Sequence, residues 1–106
     1  MQIQVNSGNN IKVHEEFASK IKGIVEDALS RFSDNITRVE VHLSDEDGTK
    51  NGINDKRCMI EARLAGRQPS AVTETADTFD LAVMGAAGKL VNLIESTLGR
   101  LQDKSS

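Results

Sequence analysis

The sequence predicts an α+β sandwich: a four-stranded mixed sheet with two helices on one face, in the order β-α-β-β-β-α. Three observations predict it. Residues 37–44 and 56–64 alternate apolar and polar side chains with period two, the pattern of strands with one buried and one wet face. Residues 12–32 and 79–102 repeat apolar side chains at spacings of three and four, the stripe of a helix that covers such a face. A strand followed by a helix and another strand implies a right-handed crossover, which leaves the first two strands parallel.

Taken in order, residues 2–6 (QIQVN) alternate Ile3 and Val5 with polar partners and make a short strand. Residues 7–10 are turn chemistry. The first helix spans 12–32 and buries Phe17, Ile21, Ile24, Val25, Ala28, Leu29 and Phe32. His14, Glu15 and Glu16 suit its positive end and Arg31 its negative end. Ser33, Asp34 and Asn35 stop it. Gly23 in mid-helix costs about 1 kcal/mol relative to Ala, which suggests close approach of another backbone there.

Strand 37–44 sets Val39, Val41 and Leu43 against Arg38, Glu40, His42 and Ser44. Strand 56–64 sets Cys58, Ile60, Ala62 and Leu64 against Arg57, Met59, Glu61 and Arg63. Residues 66–69 turn the chain into a weaker edge strand over 70–75. Asp77 or Thr78 caps the second helix, with Asp80 in its first turn. Val83, Ala86, Ala87, Leu90, Ile94, Thr97 and Leu101 form its stripe, and Gly85 to Gly88 let it pack closely.

At 106 residues, 38% hydrophobic and 27% charged, the chain reads as one domain over 1–106 with one core. The single cysteine excludes an internal disulfide and suits a reducing compartment. Cys58 falls on the apolar side of its strand and reads as a small buried hydrophobe. The sequence suggests neither a secretory leader nor a run long enough to span a membrane, so a cytoplasmic protein is expected.

The net charge of −3 argues against a long-range pull toward nucleic acid. The loop 45–55 (DEDGTKNGIND) carries that −3 by itself, whereas 56–70 holds Lys56, Arg57, Arg63 and Arg67 against Glu61 alone. Arg38, Arg57 and Arg63 should share the wet sheet face, either paired across strands with Glu40 and Glu61 or turned toward phosphate.

No motif points to catalysis. Gly85-Ala86-Ala87-Gly88-Lys89-Leu90 lacks the first glycine and the final Ser or Thr of a phosphate-binding loop and lies within a helix. The oxygen-rich loop 45–55 lacks the ligand spacing of a calcium-binding loop. His14 and His42 have no companion at a metal-ligand interval. Neither cofactor nor small-molecule substrate is expected.

The opening QIQVNSGNNIKV, the helix end ALSRFSDNITRVEVHLS and the segment ADTFDLAVMGAAGKLVNLI together resemble the ribosome hibernation-promoting factor and ribosome-associated inhibitor family. Its members are also called sigma-modulation or ribosomal subunit interface proteins. The resemblance implies an architecture similar to double-stranded RNA-binding domains. It also implies binding to the small ribosomal subunit, through rRNA and ribosomal proteins, where messenger and transfer RNA sit. Translation is then blocked by occupancy, in stress or stationary phase.

Lys89 matches the family's Lys-Leu position, and Arg100 and Lys104 fall in its usually basic helix end. Arg31, Arg57 and Arg63 join them as RNA contacts from position and charge. Glu26 and Asp27 stand where the family often has a lysine. The family's long form adds a C-terminal dimerisation domain that is not seen here, so a short-form monomer is expected. The alternative is a protein-interaction module of the same fold with weak or no RNA binding.

Overall fold

A computed structural model describes residues 1–8, 14–45 and 56–105, with side chains through residue 99. The acidic segment 46–55, residues 9–13, and the side chains of Arg100, Leu101 and Lys104 lie outside the described residues. The elements are β1 (Gln2–Ser7), α1 (Glu15–Leu29) with a 3₁₀ turn (Ser30–Phe32), β2 (Ile36–Asp45), β3 (Lys56–Leu64), β4 (Ser70–Ala76) and α2 (Phe79–Ser105). The sheet order is β1-β2-β3-β4. β1 runs parallel to β2, as a helical crossover requires, and the remaining pairs are antiparallel.

Both helices lie on one face. Val39, Val41 and Leu43 of β2 and Cys58, Ile60, Ala62 and Leu64 of β3 form one buried cluster with the helix stripes. α1 contributes Ile21, Val25 and Leu29, and α2 contributes Val83, Ala86, Leu90 and Ile94, each no more than 1% exposed. Ala82 is a further buried position of α2 outside the expected stripe. Phe17 and Phe79 meet edge to face with ring centroids 6.4 Å apart, joining the start of α2 to α1. Burial pushes the Cys58 thiol up to about 12, so it stays protonated and packs as a hydrophobe.

Local chemistry explains the boundaries. His14, in extended conformation, is the N-cap of α1, and the helix tightens to 3₁₀ over its last turn. α2 starts where Thr78 Oγ1 accepts the Leu81 amide at 3.2 Å, so Thr78, not Asp77, supplies the cap. Gly66, at φ 72°, supplies the left-handed residue in the turn from β3 to β4.

Two expectations need correction. Apart from its own stretch of helix, no described residue comes within 4 Å of a Cβ placed on Gly23, so no other element's described backbone approaches there. The close approach is at Gly85, where a Cβ would stand 2.7 Å from Glu74 Oε2. Phe79–Gly99 is long and apolar enough to cross a membrane by length and composition, contrary to the expectation that no run would be; here its apolar stripe covers the sheet.

The register also holds a feature that period-two reading missed. Ile36 pairs with Leu64 and Arg38 with Arg63, leaving Thr37 as an extra residue in β2. The bulge turns Thr37 and Arg38 both outward while Ile36 and Val39 both point into the core, a local kink of the kind one unpaired residue produces.

Candidate nucleic-acid interface

Strand register fixes the layout of the wet sheet face. Arg38 stands opposite Arg63, Glu40 opposite Glu61, His42 opposite Met59, and Ser44 opposite Arg57. The expected cross-strand pairing of arginine with glutamate is therefore not what the register makes; like faces like. The contact that does form runs along one strand, Arg38 Nη2 to Glu40 Oε1 at 3.7 Å. Arg38 Nη2 also donates to Gln4 Oε1 of β1 at 2.8 Å. Six residues separate Arg57 from Arg63, about 20 Å along the strand, so these two candidates sit at opposite ends of the face.

Lys89 and Arg31 belong to the helical side. Lys89 Nζ donates to the Thr73 carbonyl at 2.9 Å and to Glu74 Oε1 at 3.3 Å, tying α2 to edge strand β4. Arg31 pairs with Glu95 of α2 and lies over the Phe32 ring, 4.7 Å from its centroid. Side-chain exposures of 52% for Lys89 and 61% for Arg31 keep both at the surface, where such ion pairs exchange readily for a phosphate. Arg100 and Lys104 fall within the span of α2.

The structure brings together a different group. Arg38 and Arg63 meet at the sheet end where β2 begins and β3 finishes, and Arg67 follows in the next turn. Thr37 Oγ1 donates to the Arg63 carbonyl at 3.1 Å across the bulge. A groove of about 460 Å³ is lined by Thr37, Arg38, Arg63 and the two glutamates. A second of about 370 Å³ shares Thr37 and Arg63 and continues to Arg67 and Gln68. Arg63 and Arg67 make no ion pair with any described residue. Charge and alternation place Arg38 and Arg67 near this region in sequence, but only the bulge and the register show that they adjoin Arg63.

Nothing in this arrangement suggests a metal or a nucleophile. No group of three or more His, Cys, Asp or Glu side chains could hold a metal among the described residues. The surface offers cations, hydroxyls and shallow grooves, which suit a folded polyanion recognised through shape and phosphate contacts.

A four-stranded sheet with one helix-covered face and one polar face carrying guanidinium groups defines a small α+β binding domain. Residues 4–102 match the family described as Sigma 54 modulation protein / S30EA ribosomal protein, and the chain belongs to that family of ribosome-associated factors. It is not a family of enzymes. The N-terminal domain of Protein Y from Thermus thermophilus has a similar fold, with a TM-score of 0.73 at 17% identity, covering 92% of this chain and 99% of that one. A ribosomal subunit interface protein from Coxiella burnetii is similar too, with a TM-score of 0.69 at 16% identity over 93% and 99%. No curated protein matches the chain.

Proposed function

We propose that this chain is a translation inhibitor and hibernation factor that binds the small ribosomal subunit in the channel used by messenger and transfer RNA, under stress or in stationary phase. Family membership across residues 4–102 carries the reading. It acts by occupancy, as a monomeric cytoplasmic protein, without cofactor, catalytic step or small-molecule substrate. Lys89, Arg100, Lys104, Arg31, Arg57 and Arg63 are its proposed rRNA contacts, and each cation that meets a phosphate releases condensed counterions.

Sucrose-gradient sedimentation of stationary-phase lysate at low and moderate salt tests this. The protein is expected to travel with small subunits or whole ribosomes at low salt and to leave them as salt rises. Remaining at the top of the gradient at low salt overturns the reading. Lys89→Glu with Arg100→Glu is expected to weaken co-sedimentation. Unchanged binding in a variant that melts like the wild type removes α2 from the proposed interface.

The net charge of −3 and the carboxylates on Arg31 and Lys89 favour one alternative, a protein-binding module that keeps the fold but meets RNA weakly. A pull-down that recovers protein partners without rRNA selects it.

A further inference from the structure

We propose that Arg38, Arg63 and Arg67, set by the Thr37 bulge, form a phosphate clamp that takes one crossing of an RNA backbone at the end of the sheet. The clamp rests on the reading of the chain as an rRNA-binding factor. It places a principal contact on the strands, beyond the family's helix positions.

Four observations support it. First, Arg38 stands opposite Arg63 in the register and lines the same groove; its guanidinium now meets Gln4 and Glu40 in exposed contacts of the weak kind that a phosphate can replace. Second, Arg63 and Arg67 have no carboxylate partner among the described residues, and a guanidinium offers the planar fork that phosphate oxygens accept. Third, the bulge that turns Thr37 outward beside Arg38 is held by the Thr37 bond to the Arg63 carbonyl. Bulges re-aim side chains in this way at functional positions. Fourth, the two grooves of about 460 and 370 Å³ share Thr37 and Arg63, so the surface is continuous from Arg38 to Arg67.

The same face limits how the backbone lies. Glu40 and Glu61 form the next row up the sheet, with Glu40 holding Arg38 from that side at 3.7 Å. Two carboxylates repel a phosphate chain running along the strands. The backbone therefore crosses the sheet end from Arg38 past Arg63 toward Arg67, and does not climb the face.

The test is binding of the full chain to purified small ribosomal subunits across a salt series, beside thermal melting. Neutralising Arg38, Arg63 and Arg67 together with glutamine should weaken binding by about tenfold or more. It should also flatten the slope of log affinity against log salt, by roughly one for each phosphate no longer neutralised. The melting temperature should stay near the wild-type value, because removing the like-charge pair offsets the loss of the exposed Arg38 contacts to Gln4 and Glu40. Arg63→Lys should keep the slope while weakening affinity, since the charge stays and the fork goes. If the triple variant fails to fold, Arg63→Gln and Arg67→Gln singly decide by the same slope. Wild-type affinity and slope in these variants overturn the clamp while ribosome binding stands. A wild type that fails to bind subunits at low salt overturns both.

Discussion

Arg31 and Lys89 show how little a cation's place in the sequence says about what it touches. Lys89 was legible as a surface position on a helix. Its bonds to Thr73 and Glu74 depend on how α2 sits against β4, which no local pattern encodes. The same holds for Arg31 and Glu95, brought together only when α1 and α2 pack. Cys58 is the opposite case, because alternation alone placed it in the core, where it is fully buried. With its thiol pushed up to about 12 against an ordinary 9.0, it should resist alkylation in the native protein at pH 8 and react once unfolded. The unfolded thiol ionises as pH rises past 9 while the folded one stays protonated. Stability from this group is therefore complete below pH 9 and falls by about 1.4 kcal/mol per pH unit between 9 and 12. Denaturation of wild type and Cys58→Ala at pH 8 and pH 10 checks this; the gap between them should narrow at the higher pH.

Among the elements, strands and helices followed from periodicity in kind and order, with helix ends displaced: α1 starts at Glu15 behind its His14 cap and α2 runs on to Ser105. The Thr37 bulge did not, since an extra residue looks like a broken alternation and shifts the strand start from 37 to Ile36. Gly23 and Gly85 were also indistinguishable by pattern. Gly23 has open space around it and Gly85 has Glu74 against it, a difference created entirely by β4. Gly23→Ala should therefore stabilise the protein by about 0.5–1 kcal/mol, the helix-propensity gain with nothing to offset it. Gly85→Ala should gain less or destabilise, because Glu74 must move and its bond from Lys89 goes with it. Urea denaturation midpoints of the two variants, compared at equal m-values, measure the difference.

Across the whole molecule, the sheet divides its charge by end. Arg38, Arg63 and Arg67 gather where β2 begins and β3 finishes, while Asp45 and Lys56, between which the acidic segment is strung, close the other end at 3.0 Å. Composition showed a +3 run after a −3 run, but not that antiparallel pairing would set Arg63 beside Arg38 at the sheet end opposite Asp45 and Lys56. That separation leaves Arg38, Arg63 and Arg67 as a cationic edge on a protein of net charge −3.

β1 has a consequence of another kind. It is the first strand made and an edge strand, and it is held to the sheet by β2 alone, a partner that begins only after all of α1. β2, β3 and β4 close on one another through successive antiparallel pairings, so they can assemble before β1 arrives. The N-terminal strand should dock late and peel first. In native-state hydrogen exchange its amides, with Val5 and Ser7 among them, should open at lower free energy than those of Val41 or Ile60 in the central strands. Equal protection across all four strands would mean that the sheet opens as one unit, with its earliest-made piece as secure as its centre.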